Sequence, residues 1–233
     1  MARILYGVAG EGMGHAIRSK PIIEYLIKKG HKVKVLSGDR PYNFLKKHFK
    51  DVDEIFSLLM TYKKNTVSNS RTLWMNIKRL PQFNKAMLRI RRIFKQFRPE
   101  LVITDCEPFS PRIAKLKRIP VISIDNPSIS TRTKVETAKK YRSLKLMNNS
   151  IIRGLTAGAN HFIITTFFYP EKKKRRTYLV PLIIRDEIQK LKPKKGKYIL
   201  VYQTSQSNED LIPTLKRAGA QDIIEYPLNK VIF

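Results

Sequence analysis

Fourteen residues near the amino terminus constrain this chain most: Tyr6-Gly7-Val8-Ala9-Gly10-Glu11-Gly12-Met13-Gly14-His15-Ala16-Ile17-Arg18-Ser19. Ahead of them, Arg3-Ile4-Leu5-Tyr6 reads as a short buried strand. Behind them, Ile17, Pro21, Ile22, Tyr25 and Leu26 recur at helical spacing. The four glycines thus fall on a strand-to-helix turn, where a missing Cβ permits positive φ and close backbone approach. A helix starting there offers free N–H groups and a favourable field to an anionic or polar ligand. A Walker A loop does not fit, because Gly14 is followed by His15-Ala16 rather than by Lys and a hydroxyl residue. A dinucleotide fingerprint misses by one residue, since Gly10, Gly12 and Gly14 alternate where G-x-G-x-x-G is required. Asp39 stands after the second strand where a ribose-binding acid would sit, so a dinucleotide stays open as an alternative.

Length and charge narrow the class. At 233 residues the chain exceeds one typical domain but falls short of two full α/β domains. A hydrophobic content of 42% and regular strand–helix alternation argue for a soluble globular protein. No apolar run approaches the roughly 20 residues of a membrane span, and the amino terminus lacks a secretory signal. The single cysteine, Cys106, cannot form an internal disulfide, which fits a reducing cytoplasm, and reads as a small packed residue after a strand. Forty-seven Lys and Arg against 18 Asp and Glu give a net charge of +29, which calls for an anionic partner or setting. Nucleic acid, acidic lipid and a phosphorylated substrate all qualify. The excess is spread along the chain, so it marks no site.

The first helix is followed by a strand at 32–36, a helix at 42–49, a short strand at 52–56 and a long polar loop over 57–70. Residues 71–98 hold nine basic residues and no acidic one. Pro81 interrupts the helical pattern there. Beyond it Phe83, Met87, Ile90, Phe94 and Phe97 form one apolar stripe, with Lys85, Arg89 and Arg92 on another face. This reads as a core-facing helix with a basic solvated side. Its alternative is an amphipathic face on anionic lipid, with Trp74 as an interfacial anchor. A strand at 100–104 ends in Asp105-Cys106-Glu107-Pro108, and another at 120–124 ends in Asp125-Asn126-Pro127. Acids at successive strand ends lie on the edge where open α/β sheets bind ligands. Helices are expected at 110–116 and 134–155, and a strand at 161–165. The run Lys172-Lys173-Lys174-Arg175-Arg176 reads as a charged exposed turn. After a linker at 192–196 the chain restarts with a strand at 198–202, a polar turn at 203–207, a helix at 208–218 and a strand at 223–226. The fold class expected is α/β: a Rossmann-like domain over 1–191 on a parallel sheet, then the opening βαβ of a second one over 197–233.

Three segments resemble GT-B glycosyltransferases related to the peptidoglycan GlcNAc transferase, and an uncharacterised archaeal branch of them. They are the Gly10-Glu11-Gly12-Met13-Gly14-His15-Ala16-x-Arg18 loop, the Thr104-Asp105-Cys106-Glu107-Pro108 strand end, and Val201-Tyr202-Gln203-Thr204-Ser205. The resemblance implies an amino-terminal acceptor domain and a carboxy-terminal domain for a nucleotide-sugar donor, a UDP-sugar in particular. The acceptor it implies is a lipid-linked or cell-surface glycan at the cytoplasmic face of the membrane. The donor signature of such enzymes, a Gly-Gly turn before a Ser-x-x-Glu helix, has no counterpart here. A chain truncated within its donor half, inactive alone, is therefore expected.

Sugar transfer to a hydroxyl needs a base and stabilisation of the departing nucleoside diphosphate. His15 is the first candidate for the base, because imidazole titrates near neutral pH and the loop presents it at the mouth. Its alternative is a helix-start residue bonding backbone groups. Asp105 would orient it, and Glu11 or Glu107 stand as substitutes. Gly10, Gly12, Gly14, Arg18, Glu107, Asp125 and Asn126 are the candidate substrate-binding set, with Arg18 against a phosphate. Asp105 and Asp125 read equally well as helix caps. One cysteine and scattered histidines give no metal-ligand spacing, so neither metal nor cofactor is expected. A GT-B-shaped sugar-nucleotide epimerase and a non-catalytic basic module for acidic lipid or nucleic acid are the competing readings. Nucleic acid is not the expected partner, since no RNP-like motif, zinc pattern or recognition helix accompanies the charge.

Overall fold

A computed structural model describes residues 1–57, 62–63, 66–67, 69–202 and 209–226. It divides into two compact units. The first comprises Met1–Leu59 with Lys78–Arg185, and the second the described residues of Met60–Ile77 with Asp186–Phe233.

The first unit opens with β1 (Arg3–Val8), α1 (Met13–Lys28), β2 (Lys32–Ser37), α2 (Asp39–His48) and β3 (Val52–Glu54). In the second unit lie β4 (Tyr62–Lys63), β5 (Thr66–Val67) and most of α3 (Asn69–Lys78). The first unit resumes with α4 (Leu80–Phe97), β6 (Leu101–Asp105), α5 (Ser110–Leu116), β7 (Val121–Asp125), α6 (Ile129–Arg132), α7 (Arg142–Leu155), β8 (His161–Thr165) and β9 (Thr177–Val180). Its seven strands form one parallel sheet in the order β3-β2-β1-β6-β7-β8-β9. The order reverses between β1 and β6. That reversal leaves a crevice at the carboxyl ends of these two strands, where doubly wound sheets hold their ligands.

Helices cover both faces, and the strands are accordingly apolar throughout rather than alternating. Ile4, Tyr6 and Val8 pack with Ala16, Ile23, Phe44 and Leu45 under α1 and α2. Leu5, Leu36 and Val102 pack on the opposite face with Ile90, Ile93 and Phe94 of α4 and with Phe109 and Ile113. The α4 stripe of Phe83, Met87, Ile90, Phe94 and Phe97 therefore faces the core, and Lys85, Arg89 and Arg92 are exposed. Pro81 sits in the first turn of α4, where its missing N–H has no helical partner to lose. In the second unit, α8 (Asp186–Gln189) precedes β10 (Ile199–Tyr202), α9 (Leu211–Arg217) and β11 (Ile223–Tyr226), and β10 pairs with β11 in parallel. No described helix is long and apolar enough to cross a membrane.

Several local expectations need correction. The helix expected over 134–155 begins only at Arg142, after a 3-10 turn at Lys139–Tyr141. Upstream, Thr133 is drawn into an antiparallel bridge with Lys172, and the Lys134 N–H donates to the Glu171 carbonyl at 2.8 Å. That extended contact takes the residues out of helical geometry. Tyr25 is exposed, and the buried face of α1 runs through Ala16, Ser19 and Ile23. The loop expected over 57–70 contains the antiparallel pair β4–β5 and the start of α3; its residues 58–61, 64–65 and 68, and the turn expected at 203–207, lie outside the described residues. β9 is an addition, hidden in the sequence behind the basic run, which is itself an exposed turn.

The glycines of the loop are not equivalent. A Cβ on Gly10 would stand 1.9 Å from Ser57 Oγ and 2.9 Å from the Gly38 carbonyl, so the loop after β1 is wedged against the ends of β2 and β3. A Cβ on Gly7 would meet the Glu107 carboxylate at 2.7 Å. Gly12 has a φ of 78°, while Gly14 lies in the first turn of α1 with nothing within 4 Å of an added Cβ. Gly10→Ala should lower unfolding free energy by about 1–3 kcal/mol through overpacking. Gly14→Ala should raise it by about 0.4–1 kcal/mol through a less flexible unfolded chain. Urea titrations of both variants check this, and equal effects at the two positions would refute the wedge.

Candidate functional site

At the β1–β6 crevice a single carboxylate collects four side-chain donor groups. Asp105 closes β6, its side chain wholly buried. The Ala9 N–H donates to its backbone carbonyl at 3.0 Å, stitching the end of β1 to the end of β6. His15, Arg18 and Ser19 reach its side chain from the first two turns of α1. These positions are three and four residues apart and so share one helix face. Arg18 Nε donates to Oδ2 at 2.7 Å and Nη2 to Oδ1 at 2.5 Å, a two-pronged ion pair. The Ser19 hydroxyl donates to Oδ2 at 3.2 Å, and His15 Nδ1 lies 2.7 Å from Oδ1.

His15 Nδ1 lies between an acceptor, Asp105 Oδ1 at 2.7 Å, and a donor, Arg18 Nη2 at 2.8 Å. The charged carboxylate favours the tautomer with the proton on Nδ1. In the neutral ring of that tautomer Nε2 has the lone pair, on a side chain about a quarter exposed. Burial works to raise the Asp105 pKa, but the charges and hydrogen bonds of His15 and Arg18 outweigh it and hold the carboxyl below its ordinary value.

The other acids at this edge are arranged differently. Glu107 is buried and accepts the N–H groups of Phe109 (2.6 Å) and Ser110 (2.9 Å) and the Ser110 hydroxyl, closing the start of α5. Asp125 is also buried, and accepts the hydroxyls of Ser123 (2.5 Å) and Ser128 (2.8 Å) and the Ser128 N–H (2.7 Å). Burial raises the pKa of both, because their partners are neutral donors that offset it only in part. Asn126 is exposed and donates through Nδ2 to the Thr165 carbonyl at 2.7 Å. Glu11 is half-buried in the loop between Gly10 and Gly12. The structure thus brings His15, Asp105 and Arg18 together, and separates Glu107 and Asp125 from them as caps of their own turns. Arg18, expected against a phosphate, is turned onto Asp105 instead.

Two members were missed in the sequence. Ser19 follows His15 by four residues on the same helix face, a spacing that could have pointed to it. Tyr6 is fully buried, its phenol pushed up in pKa by burial first and by the Asp105 charge second. Nothing in the sequence distinguishes it from the apolar residues beside it in β1. Cys106 is buried, as expected, with a φ of 57° in the left-handed region. The Thr104 hydroxyl holds that turn, donating to the Glu107 carbonyl at 2.8 Å and accepting its N–H at 3.1 Å. His15, Asp105 and Cys106 offer ligand atoms within 4.8 Å of one another, the set among the described residues that could hold a metal ion. The Arg18 guanidinium already neutralises that carboxylate. Burial, with the charges of Asp125 and Asp105, drives the Cys106 thiol well away from the thiolate a metal prefers.

Trp74, Lys85, Arg89 and Arg92 do not belong to this cluster. Trp74 is exposed on α3 in the second unit. Lys85 and Arg89 line a separate cavity of about 310 Å³ in the first unit, with Arg79, Gln82, Asp39 and Ser57.

A doubly wound parallel sheet with a polar cluster at its switch point is the Rossmann-like architecture of GT-B glycosyltransferases, and solved structures agree. The chain is similar to MurG of Acinetobacter baumannii at 15% identity and a TM-score of 0.53, over 95% of this chain and 59% of that one. It is similar to the glycosyltransferase SsfS6 of Streptomyces sp. SF2575 at 14% and 0.55, over 100% and 70%. It is similar to Arabidopsis thaliana UGT89C1, solved with UDP, at 12% and 0.57, over 96% and 66%. Identities this low speak for the fold alone, and the chain spans 59% of the length of the MurG chain. The family model described as glycosyl transferase family 1 matches residues 2–232, and the chain belongs to that family. A 27-residue stretch is also 85% identical to part of an ATP phosphoribosyltransferase from Desulforudis audaxviator (strain MP104C), 12% of this chain and 9% of that protein. A match so short bears on neither fold nor activity.

Arg18→Met should lower unfolding free energy by about 3–5 kcal/mol, because it strands a buried carboxylate. Denaturant melts at neutral pH check it, and a loss under about 1 kcal/mol would mean that Asp105 does not depend on Arg18. Glu107 tests the opposite sign. Its folded pKa is raised, so stability falls as pH rises from the unfolded value near about 4.3 through the folded one. Glu107→Gln should therefore gain stability relative to the parent across that window, and a difference independent of pH would contradict it.

Proposed function

We propose that the protein transfers a sugar from a nucleotide-sugar donor, a UDP-sugar in the first instance, to a hydroxyl of a lipid-linked or cell-surface glycan at the membrane surface. The observation that carries this reading is the 2.7 Å contact between His15 Nδ1 and the wholly buried Asp105 carboxylate, at the switch point of a GT-B-like sheet. Asp105 fixes the ring so that Nε2 faces outward as general base. Nε2 takes the acceptor hydroxyl proton as the oxygen attacks the anomeric carbon and the nucleoside diphosphate departs. The imidazolium formed is stabilised by the carboxylate behind it. Arg18 keeps that carboxylate ionised though buried, and acts as a positioning residue. No residue of the cluster requires a metal for this step.

A nucleotide donor is supported by family membership and by two neighbours, UGT89C1 solved with UDP and SsfS6 solved with thymidine diphosphate. The membrane setting is supported by the charge of +29 and by the exposed basic side of α4. Because the chain spans 59% of the MurG chain, the transfer is proposed for the whole protein. His15→Ala in that protein should cut turnover by more than about ten-fold, while the protein stays folded with a lower melt from the hydrogen bond that Asp105 loses. Near-parental turnover would remove His15 as the base.

A further inference from the structure

The connection between β8 and β9 carries an exposed surface that the site does not use. Phe167, Phe168 and Tyr169 follow one another with 85%, 55% and 60% of their surface exposed. The buried Thr166 sets them out: its hydroxyl donates to the Phe168 carbonyl at 2.8 Å and accepts the Phe168 N–H at 3.2 Å. Since β8 runs parallel to β6 and β7, the rings emerge at the sheet edge that carries Asp105 and Asp125. After Pro170 and Glu171 come Lys172, Lys173, Lys174, Arg175 and Arg176, all exposed.

This run lies against a second basic segment. Thr133 bridges Lys172, the Lys173 N–H donates to the Arg132 carbonyl at 2.8 Å, and the Lys134 N–H donates to the Glu171 carbonyl at 2.8 Å. Lys145 Nζ ties α7 to the same segment through the Val135 carbonyl and the Thr137 hydroxyl. Residues 132–145 and 171–176 together carry eleven lysines and arginines against Glu136 and Glu171. On α7, Leu144 and Ile151 are exposed and lie seven residues apart on one helix face.

We infer that this surface seats the protein on an anionic lipid bilayer, with Phe167, Phe168 and Tyr169 in the interfacial zone and the basic segments on the head groups. Aromatic rings partition into that zone, and clustered lysines and arginines are drawn to acidic head groups. Nucleic acid would use the same charge and could stack on the rings. Exposed Leu144 and Ile151 have no flat face to offer a base, whereas acyl chains accept them. The basic run returns from this edge toward the amino end of β8, where the Phe162 N–H donates to the Arg176 carbonyl, so it is the aromatic rings that bring lipid to the edge bearing His15, where a lipid-linked acceptor would present its hydroxyl. The inference rests on the membrane-surface part of the function proposed above and not on the transfer chemistry, which a water-soluble acceptor would report separately.

Co-sedimentation of the 233-residue chain with vesicles tests it, comparing pure phosphatidylcholine with phosphatidylcholine containing phosphatidylglycerol. The chain should bind only the anionic vesicles, and less tightly as salt rises. Phe167→Ser with Phe168→Ser should weaken binding by at least about ten-fold without changing the thermal melt, since both rings are exposed. Lys172→Gln, Lys173→Gln and Lys174→Gln should weaken it by about five-fold per charge removed. Parental binding in the Phe167/Phe168 variant overturns the inference. So does binding lost only when Lys85, Arg89 and Arg92 are neutralised, which would move the contact to α4. So does tighter binding to a single-stranded oligonucleotide that anionic vesicles cannot displace.

Discussion

A carboxylate with no solvent exposure has to be neutralised or protonated, and in this protein the architecture of the crevice follows from how Asp105 is neutralised. Both of its oxygens are satisfied from α1, by Arg18, His15 and Ser19. The helix therefore cannot rotate or slide without uncovering a buried charge, a loss of several kcal/mol. The backbone of the same residue accepts the Ala9 N–H, so strand, loop and helix converge on one position. Gly10 completes the arrangement from the other side. Its missing side chain lets the loop ahead of α1 press against Ser57 and Gly38.

How far this was legible in the sequence depends on the kind of interaction. The glycine loop was plain, because strand-to-helix turns at a crevice need residues without Cβ, and the chain has them beside His15. The order of strands and helices was plain as well, since buried parallel strands read as short apolar runs between helical patterns. The pairing of His15 with Asp105 was anticipated from chemistry, a base seeking an orienting acid. Arg18 was assigned outward, to a phosphate, because spacing alone cannot say which way a long side chain folds. A buried acid at the neighbouring strand end attracts it inward, and only the assembled sheet puts the two within reach. The helix expected at 134–155 failed for a related reason. Nothing local disfavours helix at Lys134, and the competitor is a bridge to residues nearly forty positions on.

Three buried acids crowd the carboxyl edge of the sheet, and their environments separate them by role. Glu107 and Asp125 are surrounded by N–H and hydroxyl donors that carry no charge. Such donors offset burial in part, and the carboxyl pKa values still rise. Each accepts from backbone two or three residues downstream, as a turn-closing acid does, and both oxygens of each are hydrogen-bonded. Asp105 alone is matched with a full cation, and its pKa falls despite complete burial. An acid that stays charged out of water can stabilise positive charge forming on a neighbour, and the neighbour in contact is the partly exposed imidazole of His15. Of the carboxylates that sequence position placed at this edge, only Asp105 has the electrostatics of a base-orienting group. The charged pair of the crevice is therefore Asp105 with Arg18, in contact with His15, and the other two acids hold the turns that frame it.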